Sequence, residues 1–150
     1  MKLVIVGAPR TKKNSLRRMK FGNRLLTMSS ESHQEWENSA VGQLIDQTKR
    51  CDKVLRKPRK TKPKGKASKR PLPPLVCFGN VVSMRALVYR ERDVGDLGNY
   101  LAAVCDALEK AGVVENDKLI VSFDGSRPLL DRKNPRVELD IEPFDEQERP

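Results

Sequence analysis

Acidic residues stand on both sides of one amphipathic segment of this chain. Asp93 and Asp96 come just before the segment, and Glu115 and Asp117 come just after it. Carboxylate oxygens are preferred ligands of Mg²⁺, and Mg²⁺ beside a phosphate lowers the pKa of an attacking water and offsets the charge that develops on the phosphate. The net charge of +10 favours a polyanionic partner. Together these features indicate a metal-dependent nuclease.

Each carboxylate also has a purely structural explanation. Asp is a common N-cap residue and interacts favourably with the positive end of a helix, so Asp96 taken alone is more readily explained as a cap. Asp117 taken alone is typical of a turn. The metal-site hypothesis therefore depends on the pair, since two carboxylates that flank a helix in a basic protein need a common reason.

The basic residues are concentrated in a few segments. Lys49–Arg70 contains twelve Lys or Arg residues and one acid, so it carries more positive charge than the net +10 of the whole chain. A second basic cluster occupies Arg10–Arg24, and the run Glu138–Pro150 is acidic. This bipolar distribution favours an oriented complex with nucleic acid, because phosphate neutralisation supplies most of the affinity.

We expect the 150 residues to form a single domain, 1–150. Residues 50–74 are predicted to be a basic Pro/Lys-rich flexible loop within it, because five prolines and a Lys/Arg run cannot supply a packed face. We favour a DNA-contacting role for this loop, and a solvated loop without a role is the alternative. Residues 143–150 are predicted to be an acidic C-terminal tail.

Apolar periodicity predicts helices over residues 30–49 and 97–112, with Ser29 or Ser30 as the first N-cap and Gly112 at the second end. Alternating and β-branched runs predict strands over residues 2–6, 24–28, 81–89, 118–123 and 137–142. The order ββαβαββ predicts an α+β (α/β) fold, a mixed β-sheet with two main helices. The basic linker is inserted between the first helix and the third strand. Trp36 is predicted to lie in the core, and His33, the single histidine, on the surface.

The cysteines at positions 51, 77 and 105 are scattered and lack a CxxC spacing. This pattern is typical of reduced thiols in a cytosolic protein and excludes a disulfide framework or a zinc site. Leu3–Val6 is too short for a signal peptide core or a membrane span. We expect a cytoplasmic protein with no membrane partner and no small-molecule cofactor.

Several motifs in order resemble the signature of the RusA-type Holliday junction resolvases. The signature has an Asp-x-Asp-Asn helix start, a Lys four residues after the second Asp, an Asp-Ala-Leu in mid-helix and an acidic pair at the next strand. The matching runs here begin with Asp96-Leu-Gly-Asn99 and continue with Asp106-Ala-Leu and Asn116-Asp117. Gly7–Asn14 and Ser30–Trp36 also resemble family segments. The resemblance covers about the first 45 residues and residues 80–142, with the basic linker as an insertion.

The resemblance implies a homodimeric crossover junction endodeoxyribonuclease that uses Mg²⁺ to cut branched DNA, the four-way junction, in DNA recombination and DNA repair. It implies that Asp96 and Asp117 are the first and last catalytic, metal-binding residues. Residues near this site would bind DNA backbone phosphates, namely Lys12, Lys13, Arg17 and Arg18. A solvated loop is the alternative for these four residues.

Two positions depart from the signature, because Gly98 replaces the second Asp and Ala102 replaces the Lys. Mg²⁺ is often held by one or two carboxylates with phosphate oxygens and water, so a two-Asp site remains possible. Asp93 or Glu115 could replace the missing ligand, and Lys110 or Lys118 the missing cation. The alternative is a catalytically weakened or inactive junction-binding protein, and a third hypothesis is an RNA-binding protein that acts through its basic arm.

Chain geometry restricts how the two acids can meet. A helix over residues 97–112 rises about 22 Å, whereas the five residues to Asp117 can return at most about 17 Å. Convergence of Asp96 and Asp117 therefore requires a helix that ends early, an oblique return through the sheet, or a partner subunit that completes the site.

Overall fold

The computed structural model describes residues 1–11, 16–22, 24–49 and 77–144. Within these ranges the strands are β1 (Lys2–Val6), β2 (Leu16–Phe21), β3 (Arg24–Ser29), β4 (Val82–Arg90), β5 (Ile120–Ser122), β6 (Arg127–Leu130) and β7 (Arg136–Pro143). The helices are α1 (Glu31–Thr48) and α2 (Leu97–Ala111), and a 3₁₀ turn (Asp117–Leu119) leads into β5. The prediction of a mixed sheet with two main helices is confirmed.

The main sheet has the order β1-β7-β4, with β5 and β6 on the far side of β4. β7 runs antiparallel to both of its neighbours. β5 and β6 run parallel to β4, β5 beside its start and β6 beside its end. β2 and β3 form a separate hairpin, in which Gly22 has the positive φ that a tight hairpin turn needs.

The core lies between one face of the main sheet and the two helices. The strands bury alternate residues, as Val82, Met84, Ala86 and Val88 of β4 show. The helices contribute residues at helical spacing, including Trp36, Ala40 and Leu44 from α1 and Val104 and Leu108 from α2. The core position predicted for Trp36 is confirmed, and the spacing explains it because residues three or four apart share a helix face.

The start of α1 and the end of α2 lie where the sequence predicts them. The Ser30 side chain accepts a hydrogen bond from the His33 backbone N–H at 3.3 Å, which makes it the N-cap of α1. Gly112 follows α2 in the left-handed conformation at φ +74°, and its N–H donates to carbonyls of the last turn. A salt bridge of 2.6 Å between Lys110 and Glu37 joins the two helices.

Three local predictions are wrong. His33 is 2% exposed, not a surface residue, because it lies one turn before Trp36 on the buried face of α1. The strand predicted over 118–123 begins only at Ile120, since the Asn116 side chain accepts a hydrogen bond from the Lys118 N–H at 3.1 Å and starts a 3₁₀ turn. The prediction missed β6, whose Pro128 is tolerated because the strand pairs with β4 alone in the described sheet.

The predicted basic loop 50–74 lies outside the described residues. Of the predicted tail 143–150, Pro143 ends β7 and the Phe144 N–H donates to the Val81 carbonyl at 3.0 Å, and the remainder lies outside them. Neither described helix has the length and apolar character needed to cross a membrane.

Side chains of α1 occupy the outer edge of β1. The Gln47 amide accepts from the Val4 N–H at 2.9 Å and donates to the Val4 carbonyl at 2.6 Å. Gln43, one turn earlier, makes the same two bonds with Val6 at 2.8 and 3.0 Å. The amides therefore substitute for a neighbouring strand, and we call this arrangement the amide ladder. It removes the free backbone groups that make an edge strand prone to association.

We expect the double variant Gln43→Ala/Gln47→Ala to lower the free energy of unfolding by about 1–2 kcal/mol, because four partly solvated hydrogen bonds are lost. Urea unfolding followed by circular dichroism measures the change. The matched control is Asn38→Ala, an exposed position of the same helix. A double variant as stable as this control would show that the amide ladder contributes nothing.

Candidate active site

Asp96 occupies the N-cap position of α2, but its side chain does not cap the helix. Its backbone is extended, with φ −84° and ψ 145°, and its carbonyl accepts from the N–H groups of Asn99 and Tyr100 at 3.1 and 3.3 Å. Its exposed carboxylate accepts no cap hydrogen bond, and its contact in the described structure is the Asn99 side-chain amide at 3.4 Å. The structural explanation of Asp96 as a capping side chain therefore fails, and the carboxylate is available to a ligand.

The loop before Asp96 is held from two sides. From the end of β4, the Arg90 guanidinium donates to the carbonyls of Val94 and Gly95 at 3.3 and 3.0 Å and pairs with Asp93. From α2, the Tyr100 hydroxyl donates to the Val94 carbonyl at 2.6 Å. We call these contacts the loop clamp. The sheet and the helix thus both fix the backbone that carries Asp96.

Gly95 allows this loop to close. Its φ is +90°, a backbone conformation that residues other than Gly rarely adopt. A Cβ at this position would lie 3.1 Å from the Tyr100 hydroxyl oxygen. Close packing of backbone against Tyr100 is therefore possible only with Gly, and it leaves Asp96 little freedom.

Asp117 lies beside the second half of α2. It begins the 3₁₀ turn, and its N–H donates to the Glu109 carboxylate at 3.2 Å. The pKa of the Cys105 thiol is raised to about 12, chiefly by burial and in addition by the negative charges of Asp117 and Asp106. The charge of Asp117 therefore acts on Cys105, which lies in the middle of α2.

The two predicted catalytic acids are anchored at different levels of α2. The helix runs unbroken to Ala111, so it does not end early. Glu109, which holds the backbone of Asp117, lies thirteen residues after Asp96, roughly 20 Å along the helix axis at 1.5 Å per residue. The described residues contain no group of three His, Cys, Asp or Glu side chains arranged to hold a metal ion.

The residues considered as replacements for the missing ligand and the missing cation differ in availability. Asp93 is paired with Arg90, and Lys110 is paired with Glu37. Glu115 is half-buried, and Lys118 is exposed. Gly98 itself faces open space, because a Cβ built there meets no atom within 4 Å. A Cβ therefore fits at Gly98 without displacing its neighbours.

The donor set suits Mg²⁺ in chemistry, since it consists of carboxylate oxygens on half-buried or exposed side chains. The number of donors is small, at most two from Asp96 and Asp117. This number is sufficient for Mg²⁺ only when substrate phosphate oxygens and water complete the octahedron.

Two of the four predicted DNA-binding residues fall within the described part of the chain. Lys12 and Lys13 are outside the described residues, and Arg17 and Arg18 belong to β2, where Arg18 is exposed. Sequence reasoning missed the role of Arg90 and Tyr100 in holding the loop. The signal for Tyr100 was its place one turn after Asp96, but the signal for Arg90 required knowledge of where β4 ends.

Comparison with known families covers nearly all of this fold. Residues 6–142 match the family described as endodeoxyribonuclease RusA. The chain belongs to the RusA endodeoxyribonuclease family. The match extends from the end of β1 into β7, so it includes α2 and the segments that carry Asp96 and Asp117. No curated protein matches the chain closely enough to count as a relative.

The position of Asp117 can be tested through Cys105. We expect Asp117→Asn to lower the pKa of Cys105, because a negative charge that disfavours the thiolate is removed. The pKa should stay above its ordinary value of 9.0, since burial is the largest cause of the shift. The pH dependence of iodoacetamide labelling, resolved by peptide mass spectrometry, measures it.

The matched control is Asp124→Asn, which removes the same charge from an exposed turn. An equal labelling profile for the two variants would place Asp117 away from Cys105.

Proposed function

We propose that this RusA-family protein is a structure-specific endonuclease that resolves Holliday junctions by Mg²⁺-dependent phosphodiester hydrolysis, in DNA recombination and repair. Family membership supports nuclease chemistry. The observation that carries the proposal is the state of Asp96. A carboxylate at a helix N-terminus normally caps the helix, whereas this one is held in a clamped loop and left without a cap bond. Such a carboxylate is suited to a cation.

In this mechanism Asp96 and Asp117 would hold Mg²⁺, and phosphate oxygens and water would supply the other ligands. When bound, the ion lowers the pKa of the attacking water and offsets charge on the phosphate. The loop clamp fixes the backbone of Asp96, and the Asn99 amide orients one of its carboxylate oxygens. Lys12, Lys13, Arg17 and Arg18 bind phosphates of the flanking DNA.

A homodimer is part of the proposal. A four-way junction is cut in two symmetric strands, which suits a protein with two-fold symmetry. The separation of Asp96 and Asp117 along α2 also supports a shared site, in which Asp96 of one subunit works with Asp117 of the partner subunit. The reduced thiols Cys77 and Cys105 are consistent with a cytoplasmic location.

The alternative is a catalytically weakened or inactive RusA-like protein that binds junctions. Gly98 and Ala102 favour this alternative, because the family signature has an acid and a cation there. The two readings differ in a single assay. Paired nicks in a synthetic four-way junction that require Mg²⁺ and are absent from linear duplex support the enzyme. Salt-sensitive junction binding without cuts supports the alternative.

We expect Asp96→Asn and Asp117→Asn each to reduce Mg²⁺-dependent junction cleavage by about 100-fold or more, while junction binding in EDTA is retained. Loss of a ligand affects the metal at least as much as loss of its supporting contacts, which typically costs 10–100-fold. Gel electrophoresis of labelled junctions measures cleavage. Asp124→Asn is the control for charge, and cleavage by either site variant at the rate of this control would exclude that acid.

Mixing the Asp96→Asn and Asp117→Asn proteins tests the shared site. In a mixed dimer one of the two sites would regain both acids, so single-strand nicking should return. No recovery after subunit exchange would show that each chain builds its own site.

We expect Gly98→Asp to raise the cleavage rate by about tenfold, because it restores a carboxylate next to Asp96 in open space. The first turn of a helix also tolerates an acid well. Gly98→Asn is the matched control, with the same shape and no charge. A rate for Gly98→Asp at or below that of wild type or Gly98→Asn would contradict the idea that this ligand limits catalysis.

A further inference from the structure

A cavity of about 220 Å³ opens beside the loop that carries Asp96. Three parts of the fold meet around it, namely the segment after β1, the end of β4 with the loop that follows, and the first turn of α2. Its polar lining consists of Arg10, Thr11, Arg90, Glu91, Arg92 and Tyr100. We call it the arginine cavity. The sequence shows these residues in three separate places, so only the fold brings them together.

The lining of the arginine cavity is positively charged. Three arginines and one glutamate leave a formal charge of +3 − 1 = +2. The Arg90 guanidinium is committed to the loop clamp, although its Nε atom is buried and makes no hydrogen bond in the described structure. Arg10 and Arg92 are exposed, and neither makes an ion pair or a side-chain hydrogen bond with another described residue.

Two guanidinium groups share one concavity, and neither has a partner among the described residues, so the cavity favours a phosphate anion. Arg binds phosphate through paired N–H donors, which gives stronger hydrogen bonds than neutral groups make. Thr11 is 5% exposed and adds a hydroxyl to the lining. A DNA backbone phosphate has two non-bridging oxygens, so it can accept hydrogen bonds from both arginines at once.

The place of the cavity favours a phosphate that belongs to a DNA strand. Val94 lines the cavity and precedes Asp96 by two residues, at most about 7 Å of extended chain. One DNA strand carries a phosphate about every 3.4 Å along the helix axis. A strand whose scissile phosphate lies at Asp96 therefore presents another phosphate at the cavity within a few nucleotides.

We propose that the arginine cavity binds a backbone phosphate of the strand that is cut, close to the scissile phosphate, through Arg10 and Arg92. This rests on the proposed nuclease function and adds a strand-positioning site to it. Arg90 and Tyr100 connect the two places, because they line the cavity and also hold the loop that carries Asp96. A DNA strand bound in the cavity is thereby positioned relative to the Asp96 carboxylate.

The first test removes the two uncommitted charges and measures binding alone. Arg10→Gln/Arg92→Gln and wild type are titrated with a fluorescent four-way junction in EDTA at several salt concentrations. We expect affinity to fall about tenfold and the slope of log K against log[salt] to decrease by about one, as for a lost phosphate contact. The control Arg127→Gln/Arg132→Gln removes the same charge from exposed positions outside the cavity. Equal losses in both double variants would overturn the proposal.

The second test identifies the phosphate. Junctions that carry one neutral methylphosphonate at successive positions should show a position where wild type loses affinity and Arg10→Gln/Arg92→Gln does not. A variant as sensitive as wild type at every position would overturn the proposal.

Competition distinguishes the source of the phosphate. Millimolar inorganic phosphate or a mononucleotide, at an ionic strength matched with chloride, should not displace the junction selectively from wild type. Selective displacement would make the cavity a site for free phosphate or nucleotide and overturn the assignment to a DNA strand. Because none of these three experiments measures cleavage, their results can be interpreted even if the proposed nuclease function fails.

Discussion

The constraint on which the site depends is the rigidity of α2. The helix holds Asp96 at its start and, through Glu109, the backbone of Asp117 near its end. The helix runs unbroken from Leu97 to Ala111, and Val104 and Leu108 pack it into the core. The two carboxylates can act together only if their side chains extend toward each other, if bound DNA bridges them, or if a second subunit supplies one of them.

The clamped loop shows how a small fold places one carboxylate with accuracy. Arg90 and Tyr100 hold the carbonyls of the loop, and Gly95 accepts the positive φ that closes it. These contacts use groups from β4 and α2, so the loop moves only if the sheet and the helix separate. An N-cap without a side-chain cap sacrifices about 1 kcal/mol of helix stability. A loss of this kind is typical of sites where local stability is given up for binding.

The two edges of the main sheet limit where a partner chain can pair with it. The amide ladder occupies the outer edge of β1, which makes a dimer by extension of the sheet at that edge unfavourable. On the opposite side of β4 the sheet ends in two short strands, β5 and β6, which offer little backbone for pairing. The arginine cavity, by contrast, presents two exposed arginines beside the candidate site, and neither has a partner among the described residues.

The sequence alone determined what depends on near neighbours in the chain. The start of α1 at Ser30, the stop at Gly112 and the alternation of β4 follow from local rules, and the ordered motif around Asp96 was sufficient to indicate the family. The tertiary structure decided the burial of His33 and the pairing of β6 with β4. It determined where the backbone of Asp117 contacts α2, and it placed Arg10 and Arg92 around one cavity. It also decided that the Asp96 carboxylate leaves its cap unused. These properties depend on contacts between residues far apart in the chain, and no local pattern of residue types encodes such contacts.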